Sequence, residues 1–184
     1  MNMLEFDSNS LTSSIRQILG LAAEKHEYWN TCLKNMLKYS VDFTFGLHLA
    51  IFIEPYLKFI LEGKKTVESR FSKNKVAPYQ KIRSGDIILL KRSGGPILGI
   101  CKVVKVWFIR LNPRKLTEIK QNFTDSLCIQ DSSFWKNKKE ATYATLMKII
   151  HPVNIEPVKF IKHDRRGWVV LYSKKNKNLE IDVF

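Results

Sequence analysis

Between Ile87 and Phe108 the chain leaves little choice of structure. Ile87–Leu90 is a short apolar run of strand length, led in by the turn residues Lys81-Ile82-Arg83-Ser84-Gly85-Asp86. Ser93-Gly94-Gly95-Pro96 then supplies a reversal, and Ile97 to about Phe108 reads as a long second strand. Lys102 and Lys105 fall on opposite strand parities, so this long arm is expected to bend or bulge near Val103-Val104. A hairpin with one curved arm commits whatever pairs with it to a curved sheet.

The flanking segments fit such a sheet. Leu47-His48-Leu49-Ala50-Ile51-Phe52-Ile53 is a strand-length apolar run followed at once by Glu54-Pro55, and proline suits the first turn of a helix. Tyr56, Leu57, Ile60 and Leu61 give that helix an apolar face, and Gly63 ends it as a C-cap glycine. Residues 112–123 read as a helix with proline near its start, 131–140 as a short polar segment bearing aromatics, and Tyr143–His151 and Trp168–Tyr172 as strands. Several short strands with few helices among them give an α+β chain built on a small barrel or strongly curved sheet.

Charge divides the chain. Residues 1–45 carry four basic and five acidic side chains, whereas residues 62–120 carry fifteen and four. The change places a boundary near residues 41–46, with an N-terminal helical extension over 1–45 and a barrel domain over 46–184. Within the extension Leu11, Ile15, Ile18, Leu19 and Ala22 share one helical face, and Trp29, Leu33, Met36 and Leu37 repeat the pattern. That stripe either covers the core or docks a protein partner, because both uses demand the same spacing. The whole chain has a formal charge of +14, which points to a polyanionic partner, nucleic acid first. The short basic tracts Lys136-Asn137-Lys138-Lys139 and Lys174-Lys175-Asn176-Lys177 read as solvated loops.

Several function classes lack support. No apolar run is long enough for a membrane span and the N-terminus lacks the order of a secretory signal, so the expectation is an intracellular chain, cytoplasmic or nuclear, with no membrane contact. Cys32, Cys101 and Cys128 are three, without CxxC spacing, and read as free thiols. The four histidines lack metal-ligand spacing, and no phosphate loop, dinucleotide fingerprint or nucleophile elbow occurs. Neither a metal nor a cofactor is expected.

The stretch Gly63-Lys64-Lys65-Thr66-Val67-Glu68-Ser69-Arg70 concentrates opposite charges where a helix gives way to a strand. On a strand Thr66, Glu68 and Arg70 share one face, with Glu68 and Arg70 about 7 Å apart at the backbone, close enough for their ends to pair. Such a pair is either a structural ion pair or a donor and acceptor held for a polar ligand such as a base edge. Lys65 either complements the preceding helix C-terminus or, desolvated beside Arg70, becomes a base or nucleophile that Glu68 opposes. Lys91-Arg92 at the hairpin tip is a candidate phosphate contact, Phe134-Trp135 offers an aromatic for base stacking or for the core, and Arg165 and Arg166 add to a basic rim.

The order strand, proline-started helix, Gly63-x-Lys65-x-x-Glu68-x-Arg70, then Ser84-Gly85-Asp86 before a strand, resembles the ASCH domain, whose signature is G-x-K-x-x-E-x-R. The likeness spans roughly residues 46–175, and His163-Asp164-Arg165-Arg166-Gly167-Trp168 resembles the family's closing segment. The resemblance implies a small PUA-like barrel with peripheral helices and a cleft lined by the signature residues, binding RNA or a nucleotide. Some bacterial members are small amidohydrolases that deacetylate acetylated cytidine. They carry a lysine at the position of Lys65, a threonine where this chain has Glu68, and a downstream glutamate for which Glu118 and Glu140 are the candidates here. The expectation is therefore a module that recognises single-stranded RNA or a modified nucleotide through Lys64, Lys65, Glu68, Arg70, Lys91, Arg92, Arg165 and Arg166. Its rival is a small hydrolase, an amidohydrolase or ribonuclease, with Lys65 catalytic.

Overall fold

The computed structural model describes residues 2–4, 11–39, 44–160 and 165–173. His163, Asp164 and the tract Lys174–Lys177 lie outside them. The elements run β1 (Asn2–Leu4), α1 (Leu11–Ala23), α2 (Glu27–Tyr39), β2 (Leu47–Phe52), α3 (Tyr56–Leu61), β3 (Val67–Ser72), β4 (Ile87–Arg92) and β5 (Ile97–Arg110). They continue with α4 (Pro113–Phe123), α5 (Ser133–Asn137), β6 (Tyr143–Phe160) and β7 (Trp168–Tyr172). The seven strands form one curled half-barrel sheet in the order β1-β6-β5-β4-β2-β7, with β3 also pairing on β6.

The hairpin forms as the turn chemistry requires. Gly94 has a φ of 69°, and the Arg92 N–H donates to Pro96 O at 2.9 Å across the reversal. The register between β5 and β6 slips at Val103/Lys105, which is the bend that the parity of Lys102 and Lys105 demanded. Asn112 caps α4 by accepting from the Lys115 N–H at 2.8 Å, with Pro113 just inside the helix.

Two features depart from the sequence reading. Strand β6 does not stop at His151 but runs on through Pro152 and Pro157 to Phe160. Both prolines fall where the β5–β6 register slips, so neither has to supply a ladder N–H, and His151 takes a positive φ of 50° beside the first slip. Strand β1 is only three residues long and pairs in parallel with Val158–Phe160 of β6, too short to leave a pattern of its own.

The helical layer belongs to the same apolar interior as the sheet. Ile15, Ile18, Leu19, Ala22 and Trp29 are buried in one cluster with Leu47, Leu49, Ile87, Ile97 and Val153. The Trp29 indole also donates to His151 O at 3.0 Å, so the ring is both packed and hydrogen-bonded. Leu33 and Met36 pack partly buried, whereas Leu37 faces outward. A second cluster under β2, α3, β4 and β5 includes Ala50, Leu57, Ile60, Ile88, Val103 and Trp168. A third, of Val67, Trp107, Ile119, Leu127 and Trp135, seats α4 and α5 against β3 and β6.

Truncating Trp29 to alanine removes the centre of the α2 contact and is expected to cost about 3–5 kcal/mol in urea denaturation, against less than ~0.5 kcal/mol for Leu37→Ala. Equal, small losses from both variants would mean that the helical layer is not part of the cooperative core.

Candidate functional site

The site begins where α3 ends. Gly63 adopts a φ of 71°, its N–H donates to Ile60 O at 2.9 Å, and the N–H groups of Lys64 and Lys65 both donate to Phe59 O. Thr66 and Val67 then donate to Ser126 O, each at 3.1 Å, which fastens the start of β3 to the segment after α4. This double anchoring turns Lys65 inward. Its side chain is 3% exposed, its Nζ donates to Leu127 O at 3.1 Å, and it stands 3.4 Å from Glu68 Oε2.

Glu68 is buried as well, so the pair lies in the interior rather than on a solvated barrel face. Its Oε1 is 2.9 Å from Arg70 Nε, but the Nε–H is not aligned for a hydrogen bond and the contact is coulombic. The far end of the arginine is held at two points. Nη2 donates to Ile51 O at 3.0 Å and Nη1 to Gly167 O at 3.2 Å. The guanidinium also lies 5.0 Å from the Phe52 ring centroid and 5.2 Å from that of Trp168. Arg70 belongs to β3 on one edge of the sheet, while Ile51 and Gly167 belong to β2 and the approach to β7 on the other. One side chain thus spans the seam that backbone pairing leaves open.

Behind Trp168 stands a polar chain. The Trp168 indole donates to His48 Nδ1 at 3.2 Å, which places the imidazole hydrogen on Nε2, facing Asp86 Oδ2 at 3.0 Å. Asp86 also accepts from the N–H groups of Gly46 at 2.7 Å and Arg83 at 2.8 Å. A Cβ at position 46 would stand 2.7 Å from Asp86 Oδ1, so the start of β2 has room only for glycine. Asp86 of the Ser84-Gly85-Asp86 turn is therefore a buried tie between the starts of β2 and β4.

Electrostatics follow from this burial. Desolvation pushes the Lys65 ammonium below the ordinary lysine value of 10.5, with Glu68 opposing the shift and Arg70 adding slightly to it. The Tyr56 hydroxyl is pushed up, chiefly by burial and then by the charges of Asp131 and Glu68. Lys138 is pushed down by partial burial, with a further contribution from Arg70.

Above Lys65, Glu68 and Arg70 opens a cleft of about 280 Å³ whose lining also includes Phe52, Tyr56, Phe71, Ile129, Phe134 and Lys138. The structure therefore gathers Lys65, Glu68 and Arg70 in one place. The other expected residues go elsewhere. Lys64 turns outward to Glu62 at 2.7 Å, and Arg92 to Glu54 at 3.1 Å. Lys91 folds under the hairpin turn, its Nζ donating to Arg92 O and Gly95 O, and lines a separate cleft with Arg165 and Arg166. Glu118 pairs with Arg114 and Lys115, and Glu140 with Lys73, all outside the cleft lining. Of the aromatic pair, Trp135 joins the core and Phe134 lines the cleft.

Lys138 and the carbonyls of Ile51 and Gly167 were not singled out from sequence. Lys138 sits in what reads as a lysine-rich loop but lies 5.0 Å over the Phe134 ring, half-buried. Its four-residue spacing from Phe134, one turn of a helix, was the available signal.

The ASCH domain family model matches residues 51–163, more than half of the chain, and the protein belongs to that family. Among solved structures it is similar to an ASCH protein from Zymomonas mobilis, with 13% identity, a TM-score of 0.49, and coverage of 60% of this chain and 71% of that one. It is also similar to protein EF3133 from Enterococcus faecalis, with 10% identity, a TM-score of 0.44, and coverage of 76% and 95%. No curated protein matches the chain.

Replacing Arg70 by alanine strips Glu68 of one cation and removes the side-chain hydrogen bonds to Ile51 O and Gly167 O, the latter keeping only its bond from the Ile51 N–H. The expected loss is about 3–5 kcal/mol in denaturant unfolding, with Arg70→Lys recovering only part because an ammonium cannot span both carbonyls as a fork does. A loss below ~1 kcal/mol would show that the seam is held by something else. The lowered Lys65 value also sets a pH dependence. Between that value and 10.5 the unfolded chain binds more protons than the folded one, so stability from this group rises with pH across the window. Measured against Lys65→Met by urea denaturation at neutral pH and near pH ~10, the wild type should gain on the variant as pH rises. A flat or falling difference would contradict burial as the dominant influence.

Proposed function

We propose that the protein recognises single-stranded RNA or a nucleotide by admitting a base into the cleft over Lys65, Glu68 and Arg70. The observation that carries this reading is the composition of the cleft itself, a floor of buried Lys65 and Glu68 with the part-buried Arg70 beside aromatic walls. A nucleobase is a planar ring with hydrogen-bonding edges, and it needs both surfaces. Phe134 and Phe71 meet edge to face at 5.9 Å, with the Lys138 ammonium 5.0 Å from the Phe134 ring centroid, and offer aromatic surface to the guest, while Glu68 and Lys65 supply an acceptor and a donor on the floor. Lys65, Arg70 and Lys138 outnumber Glu68, so the cleft favours an electron-rich or anionic guest.

Arg70 acts here as a fixed wall rather than a ligand hook, because one N–H of each terminal nitrogen is committed to Ile51 O or Gly167 O and the two bonds together fix the guanidinium plane. The hydrolytic alternative rests on Lys65 alone. Burial favours its neutral amine, but Leu127 O and Glu68 tether it, and neither Glu118 nor Glu140 lines the cleft.

Fluorescence anisotropy of a labelled random-sequence single-stranded RNA decamer is the test. Phe134→Ala should weaken binding about tenfold, the equivalent of ~1.4 kcal/mol and within the range for one stacked base. No binding by the wild type, or an unchanged affinity in Phe134→Ala, would defeat the reading. A reaction product that Lys65→Ala abolishes would favour the hydrolase instead.

A further inference from the structure

Lys138 lines the cleft over Lys65, Glu68 and Arg70, and it is held unlike the other cations there. Lys65 donates to Leu127 O and stands against Glu68, while Arg70 is fixed by two carbonyls. The Lys138 ammonium meets aromatic rings instead, 5.0 Å from the Phe134 centroid and 5.9 Å from that of Phe71. Among the described residues no oxygen accepts a hydrogen bond from it and no carboxylate pairs with it. The carboxylates of the surrounding segments are engaged elsewhere. Glu68 faces Lys65 and Arg70, Glu140 pairs with Lys73, and Asp131 accepts from the Ser133 N–H and hydroxyl. An ammonium resting on rings keeps its three donors uncommitted.

Burial gives the cleft a direction. The side chains of Lys65 and Glu68 are 3% and 6% exposed, whereas Lys138 is half-buried, so the cleft deepens from Lys138 toward the Lys65–Glu68 floor. A nucleotide that inserts its base toward the floor keeps its charged backbone at the wetter end, because burying an unpaired phosphate is costly. That end is where Lys138 stands. Partial burial, with a contribution from Arg70, already disfavours its charge, and an arriving anion would relieve that penalty. Lys136 and Lys139 of the same tract are exposed, and of the three lysines Lys138 alone lines the cleft.

We infer that Lys138 holds the phosphate of the nucleotide whose base occupies the cleft, so that a nucleotide, free or within a single strand, is selected over its nucleoside. This rests on the base-binding reading above. It makes one ammonium at the cleft mouth, rather than the basic surface of residues 62–120 at large, the contact that distinguishes a phosphorylated guest.

The experiment uses the full chain and two sets of ligands, with circular dichroism confirming the fold of each variant. In the first set every ribonucleoside is titrated beside its 5′-monophosphate, followed by NMR chemical shift, against wild type, Phe134→Ala, Lys138→Met and Lys136→Met. Methionine keeps an apolar stem beside Phe134 and removes the charge. The wild type should bind the preferred monophosphate about tenfold more tightly than its nucleoside, an advantage that Lys138→Met abolishes and Lys136→Met retains. In the second set the RNA decamer is titrated across about 50–200 mM salt. Loss of one phosphate contact on a single strand should flatten the slope of log affinity against log salt by about 0.7 in Lys138→Met, whereas Phe134→Ala should weaken binding with its slope unchanged. A loss confined to the first set marks the phosphate of a free nucleotide, and a loss in the second a phosphodiester; either supports the inference. If Lys138→Met keeps both the monophosphate advantage and the slope while Phe134→Ala weakens binding, Lys138 does not hold phosphate and this inference falls alone. Equal losses of the advantage in Lys136→Met and Lys138→Met would assign it to general charge and overturn the inference as well. If Lys138→Met loses the advantage while Phe134→Ala binds as the wild type does, the base reading falls and the phosphate contact stands without it. A wild type that binds none of these ligands removes both.

Discussion

A curled sheet that does not close by backbone pairing has two edges that must be reconciled, and here a guanidinium reconciles them. Arg70 issues from β3, threads between the Phe52 and Trp168 rings, and donates to carbonyls on the opposite edge. Arginine alone among side chains carries a rigid planar fork with enough donors for two divergent acceptors and still presents an Nε toward Glu68. The groups on either side are arranged around that reach. Trp168 is held through its indole N–H by His48, His48 by Asp86, and Asp86 by the backbone leading into β2 and β4. On the other side Glu68 meets Lys65, whose ammonium is fastened to Leu127 O.

Burying Lys65 and Glu68 together, with the part-buried Arg70 against them, is costly unless each is satisfied, since the desolvation of every ion must be met by partners of the right geometry. The chain meets it unevenly. Glu68 is shared by two cations, and the terminal nitrogens of Arg70 find carbonyls. Lys65, although paired, still has its protonated form disfavoured by burial. A cluster of this kind does more to fix geometry than to add stability, and fixed geometry is what a recognition cleft requires.

Much of this architecture is written in local patterns. The Gly-rich hairpin turn, the capped helix after Asn112, the glycine that ends α3 and the alternation that puts Glu68 and Arg70 on one face are all consequences of residues within a few positions of one another. What could not be read depends on partners distant in sequence. That Arg92 is drawn to Glu54 while its neighbour Lys91 tucks under the turn is decided by strand parity together with a residue some forty positions earlier. That Phe134 rather than Trp135 faces the cleft is decided by how α5 seats against β3. The sequence reading ended this strand at His151, and only the slipped register against the partner strand shows why it continues through the prolines at 152 and 157.

Those same slips in β6 divide its labour. Its first half pairs with β3 and supports the charged cluster, while its last residues pair with β1 and lie in the core that receives the helices. In an uninterrupted strand a one-residue shift would invert every side chain along its whole length. A bulge absorbs such a shift, so the inward and outward alternation on one side of His151–Pro152 is not bound to that on the other. The strand is continuous as a rod and discontinuous as a code, so the facing of its core-packed end is set independently of the facing of the end that supports the cleft.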